Sequence, residues 1–130
     1  NNTLEVINSL KKSGYKIVAT TPHKKSYGID DIPIDEKTAL LFGTELTGLS
    51  DIAIENSDEI LTIPMYGFTE SYNISVSAAL CLYTLTQRLR KSEIKWQLDP
   101  SERIDILINW ARNSVSKWDV LEKHFFNTII

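Results

Sequence analysis

Apolar and polar positions along this chain follow two periods. Val6, Ile7 and Leu10 form an apolar stripe at helical spacing, with Thr3 placed to cap the helix and Gly14 to end it. Tyr15 to Thr20 reads Tyr-Lys-Ile-Val-Ala-Thr, a short β-branched strand that leaves through Thr21-Pro22-His23. Residues 24–36 are polar, with Gly28 and Pro33, and predict a surface connection tacked down by Tyr27 and Ile29. Thr38 to Phe42 reads as a second buried strand ended by Gly43, and Leu49 to Ser57 as a short helix capped by Ser50. Ile60 to Ile63 is a third strand, and a long helix runs from Asn73 to about Arg90. Strands separated by helices, each apolar along its length, predict an α/β fold with a parallel sheet covered on both faces.

The pattern changes after Leu89. Arg88, Arg90, Lys91 and Lys95 form a basic stretch that suits either RNA phosphates or a solvated helix end. Asp99-Pro100-Ser101-Glu102 is a strong helix start, and Ile104, Leu107, Ile108, Ala111 and Val115 repeat behind it at helical spacing. A last helix includes Val120, Leu121 and Phe125. The predicted division is residues 1–91 as the α/β part and 92–130 as a helical extension, with no internal repeat.

Composition narrows the partners. Apolar residues are 42% of 130, enough for a core. A net charge of −3 excludes nucleic-acid binding by bulk charge alone, though not a local basic patch. The single cysteine, Cys81, cannot form an internal disulfide; it suits a reducing cytoplasm and reads as core. No apolar run approaches the roughly 18–20 residues of a membrane span, so no membrane partner is expected, and no signal peptide is read. His23 and His124 lie far apart in sequence and no metal-ligand spacing occurs, so no metal is expected. Trp96, Trp110 and Trp118 suit base stacking or helix anchoring.

The most informative stretch is Ile63-Pro64-Met65-Tyr66-Gly67-Phe68-Thr69-Glu70-Ser71-Tyr72-Asn73-Ile74-Ser75-Val76-Ser77-Ala78-Ala79. A strand ends, a loop with Pro and Gly follows, and a helix of small residues begins near Ser71 and Asn73. Such a loop can wrap a small ligand with backbone groups and aim a helix start at it. Upstream, Gly43-Thr44-Glu45-Leu46-Thr47-Gly48-Leu49 places a carboxylate between two glycine turns at another strand end, where α/β sheets bind ligands. Ala19-Thr20-Thr21-Pro22-His23 marks a third strand end. The first two motifs, in this order, closely resemble the later signature motifs of the SPOUT RNA methyltransferases of the SpoU/TrmH type. The third match is weak. One well-marked position departs: Tyr72 stands where the family usually has Leu, and its ring can stack or hydrogen-bond with a ligand or narrow the pocket.

The resemblance covers about residues 3–91. It implies a trefoil-knotted α/β domain that holds S-adenosylmethionine in a bent shape, and an RNA ribose 2′-O-methyltransferase. The cofactor walls would come from Thr20, Thr21, Gly43, Glu45, Ile63, Met65, Tyr72 and Asn73, with adenine among the backbone groups of Ile63, Met65 and Tyr72. Ser71, Asn73 and Glu45 would organise the reacting centre. Ser71 and Asn73 are also good helix caps, and some residue must cap this helix. The helical extension is similar to those of tRNA guanosine-modifying members, so tRNA is expected before rRNA. A homodimer through the long helix is expected too, which Ser75, Ala78 and Ala79 would suit. The family's upstream Asn…Arg motif has no match in residues 1–130, and the chain starts Asn1-Asn2-Thr3 without an initiator Met. These residues are therefore expected to be the cofactor-binding C-terminal part of a longer enzyme, inactive alone. The rivals are an rRNA methyltransferase, a non-catalytic RNA-binding or assembly module, and, last, a flavodoxin-like module.

Overall fold

The computed structural model of the chain describes residues 2–22, 27–69 and 71–129. These divide into two compact units, Asn1–Ile94 and Lys95–Ile130. In the first, helix α1 (Thr3–Lys12) precedes strands β1 (Lys16–Thr20), β2 (Tyr27–Gly28) and β3 (Thr38–Leu41). Helix α2 (Asp51–Glu55), strand β4 (Glu59–Thr62) and helix α3 (Ile74–Lys91) follow. The strands form one sheet in the order β2-β4-β1-β3, with every pairing parallel.

Because strand side chains alternate between faces, one strand can feed two cores. Ile17 packs with Ile7 of α1 and Ala53 of α2, while its neighbour Val18 packs with Leu61 of β4 and Cys81 of α3. β3 repeats the pattern: Ala39 and Leu41 join the first cluster, and Leu40, with Phe42 just beyond the strand, joins the second. This is why the central strand lacks the polar alternation of a half-solvated sheet. Burial pushes the Cys81 thiol up to about 11, so it stays protonated as a small core residue.

Three readings of the sequence change. Asn2, not Thr3, caps α1: its side chain accepts from Leu4 N while Glu5 reaches back to the Asn2 amide. The stretch after β1 is not only a surface connection. It contains the edge strand β2, and both Ile29 and Ile32 are buried in the α3-side core. Arg88 of α3 pins this stretch by donating to the carbonyls of Ile29 at 3.0 Å and Ile32 at 2.8 Å. Finally, β3 is half-buried because it lies at the sheet edge. His23 lies outside the described residues.

The second unit is a helical pair, α4 (Pro100–Ser114) and α5 (Trp118–Ile129). Asp99 caps α4 by accepting from Ser101 N and Glu102 N, and Arg112 pairs with Glu122 at 2.8 Å. The stripe through Ile104, Leu107 and Ile108 is exposed along with Leu121 and Phe125, and no described residue of this unit is buried. No helix among the described residues is long and apolar enough to cross a membrane.

Asp58 ties the start of β1 to β4. Its carboxylate accepts from the Ile17 amide at 2.8 Å and from Lys11 Nζ at 2.6 Å, and its own amide donates to Ile17 O. Desolvation raises its pKa, but the Lys11 hydrogen bond, the Ile17 amide and the nearby lysine charges outweigh it. The net is below the ordinary 3.8. A carboxylate with a depressed folded pKa stabilises above its unfolded pKa and loses that contribution as pH falls through the folded value. Asp58→Ala is expected to cost about 1–3 kcal/mol in urea unfolding at pH 7. The gap from the parent should narrow progressively below about pH 4, where the carboxylate protonates.

Candidate functional site at three strand ends

Parallel pairing puts the carboxyl ends of β1, β3 and β4 on one side, and the loops leaving them enclose a cleft of about 380 Å³. Thr20 and Thr21 line it from β1, and Gly43 and Glu45 from the loop after β3. Ile63, Met65, Ser71 and Tyr72 line it from the segment between β4 and α3. The structure thus brings together eight of the nine residues singled out in the sequence. The ninth, Asn73, does not line the cleft but is bonded to a residue that does.

The loop after β3 is held closed by its own backbone. Thr44 and Gly48 exchange N–H···O bonds of 3.0 Å in both directions, and Thr44 Oγ1 accepts from Thr47 N at 3.2 Å. The two threonine hydroxyls are 2.7 Å apart. Gly43 makes this closure possible, since a Cβ there would overlap the backbone of Gly48 and Leu49. Gly48 has φ +67°, the left-handed region. The fold of this loop carries Glu45 into the cleft wall.

Helix α3 is the other half of the clamp. Asn73, rather than Ser71, is its N-cap: Oδ1 accepts from Ser75 N at 2.9 Å. The Asn73 amide nitrogen donates to Glu45 Oε1, also at 2.9 Å. Both ends of the Asn73 amide are thereby fixed, and a single residue joins the β3 loop to the start of α3. Ser71 also lines the cleft, and no hydrogen bond to its hydroxyl is present among the described residues. Among those residues, no three His, Cys, Asp or Glu side chains gather as a metal site.

Sequence reasoning missed three parts of the wall. Thr44 and Thr47 close the loop, and a Thr-x-x-Thr pair between two glycines was the available signal. Phe42 enters as the residue beyond β3. Ser77, read only as a small helix residue, lines the cleft from the first turns of α3.

The profile of the SpoU rRNA Methylase family matches residues 1–83. The chain belongs to this family. It is 43% identical, over 93% of its length, to a tRNA (guanosine(18)-2′-O)-methyltransferase of Borreliella burgdorferi, and spans 56% of that protein. Among solved structures it is similar to the TrmH/SpoU tRNA modifying enzyme of A. aeolicus, with TM-score 0.75 and 31% identity. That match covers 90% of this chain and 60% of the other. It is also similar to an AdoMet-bound rRNA methyltransferase from Sinorhizobium meliloti, with TM-score 0.62 and 25% identity, over 68% of this chain and 34% of the other. The chain therefore spans little more than half of the tRNA-modifying relatives it matches. Against this SpoU family background, the cleft is the part of the domain that three separate loops converge on.

The clasped loop makes one position critical. Gly43→Ala should force the backbone of Gly48 and Leu49 apart, costing about 1–3 kcal/mol in chemical unfolding. Gly14→Ala, where nothing lies within 4 Å but φ is +79°, offers a control for backbone strain without overlap.

Proposed function

We propose that this chain is the cofactor-holding part of an S-adenosylmethionine-dependent RNA ribose 2′-O-methyltransferase that modifies a guanosine of tRNA. The observation that carries this reading is the cleft itself, closed by the Glu45–Asn73 bond. It lies in a chain 43% identical over 93% of its length to a tRNA (guanosine(18)-2′-O)-methyltransferase.

The residues present fit the cofactor. A volume of about 380 Å³ falls in the range of small-molecule sites. Among the lining residues Ile63, Met65, Tyr72 and Ile74 offer apolar surface for a purine, and Thr44, Glu45, Thr47 and Ser71 offer polar groups for hydroxyls and a charged group. Bound there, S-adenosylmethionine supplies a methyl group activated on a sulfonium. The chain's own work is to hold and to orient. Glu45 is fixed through Asn73, and α3 presents Ile74 and Ser77 from its first turns. Ser71, which lines the cleft, offers a hydroxyl that can hydrogen-bond an incoming ribose. Positioning of this kind is worth orders of magnitude in rate, and small misplacements are correspondingly costly.

The exposed face of α3 supports a pairing of two copies. Val76, Leu80 and Tyr83 follow one another at i, i+4 and i+7, all exposed, with Ala79 beside them. A second copy of the protein would cover this stripe, and sedimentation reads the pairing directly. The alternative substrate, rRNA, has support from the S. meliloti neighbour.

The test is transfer of a labelled methyl group from S-adenosylmethionine to tRNA and rRNA transcripts by the longer enzyme of which this chain is proposed to be the cofactor-holding part, and by its Asn73→Ala variant. The proposal expects labelled tRNA from that enzyme, none from residues 1–130 alone, and kcat/KM reduced on the order of 10²-fold in the variant. Labelling of rRNA alone would select the ribosomal reading. Labelling of neither, with both RNAs bound, would overturn the enzyme reading in favour of a binding module.

A further inference from the structure

Two threonine hydroxyls hold the carboxyl end of β1 from opposite sides. On the β3 side, Thr20 Oγ1 donates to the carbonyl of Leu41 at 2.7 Å. On the β4 side, Thr62 Oγ1 donates to the carbonyl of Thr21, also at 2.7 Å. The Thr21 amide in turn donates to Leu61 O at 3.0 Å. Both backbone polar groups of Thr21 are therefore bonded to consecutive residues of β4.

The next residue explains why the second hydroxyl matters. Pro22 has no N–H, so the chain leaves β1 through a peptide group whose one hydrogen-bonding handle is the Thr21 carbonyl. Thr62 holds that carbonyl, and Thr21 and Pro22 both line the cleft. Thr62 itself does not line it. It is well placed to hold, however. Its backbone pairs with Gly28 of β2, its side chain is partly buried, and a β-branched side chain has few χ1 states. The Thr62 hydroxyl thus reaches the cleft wall through the carbonyl of its neighbour on β1.

We propose that Thr62 is a positioning residue for the ligand of this cleft, orienting the Thr21–Pro22 peptide group through its hydroxyl. The inference rests on the cofactor reading above and concerns a residue outside the three strand-end motifs. Without the hydroxyl, that peptide group is freer to rotate, and a ligand has to order the β1 side of the wall as it binds. One hydrogen bond between neutral groups corresponds to about 3- to 10-fold in affinity.

The experiment is calorimetric titration with S-adenosylhomocysteine of the protein, Thr62→Val, Thr62→Ser and Asp58→Ala, each checked for folding by its thermal midpoint. Valine keeps the shape and drops the hydroxyl, whereas serine keeps the hydroxyl. Asp58→Ala loosens the opposite end of β1 and reports whether affinity simply follows stability. Expected is a loss of about 3- to 10-fold in Thr62→Val, with Thr62→Ser and Asp58→Ala within about twofold of the parent. Equal affinities for Thr62→Val and the parent would overturn the role of Thr62 and leave the cofactor reading standing. Equal weakening in Asp58→Ala would overturn it as well, since the loss would then track stability. So would equal weakening in Thr62→Ser, where the hydroxyl is retained. If Thr62→Val did not fold, Thr62→Ala would take its place, with the same outcomes for and against. A parent that bound no S-adenosylhomocysteine would overturn both proposals together.

Discussion

The parallel pairing of β1 with β3 on one side and β4 on the other governs the rest of this molecule. Register places Ala19 opposite Leu41 and Thr20 opposite Leu61, so the three strands finish nearly level. Parallel strands cannot be joined by tight hairpins, and their connections must cross a face of the sheet. α2 lies in the connection from β3 to β4 and covers one face with α1; α3 follows β4 and covers the other. Three loops are then left together at one edge, and the cleft is the space between them. Asp58 secures the opposite end of β1, where its carboxylate holds the Ile17 amide.

Within the cleft, rigidity comes from short polar closures. The loop after β3 is bonded across its neck and again through its threonines, and Asn73 then ties that loop to α3. A carboxylate on an untethered loop would lose orientational freedom on ligand binding, at a cost in affinity. Here much of that ordering is already present in the fold. The same residue that caps a helix thus also holds a carboxylate of the cleft wall.

Much of this was legible in the sequence because apolar runs and punctuation agreed. Ile17, Val18 and Leu61 read as strand core, Ser50 and Asp99 as caps, and Gly43 as a strand end, each for a local reason the structure repeats. What was not legible depends on contacts distant in sequence. β2 is two residues long and exists because it pairs with β4, and Ile32 is buried because α3 and Arg88 come over it. Asn2 outcompeted Thr3 because Glu5 completes a reciprocal pair with it. The Glu45–Asn73 bond spans 28 residues, so both members could be singled out by motif, but not their bond. The apolar stripe of α4 was correctly helical, yet its exposure reflects which surfaces remain uncovered, which periodicity alone does not tell.

The central claim is that the cleft at these three strand ends holds S-adenosylmethionine. Amide chemical-shift mapping of the isotopically labelled protein, titrated with S-adenosylhomocysteine, tests it most directly. The account predicts that the largest changes fall on three separate segments together, near residues 20–22, 43–49 and 63–77, and saturate with one affinity. Saturable changes confined to another surface, such as α4 and α5, would contradict it.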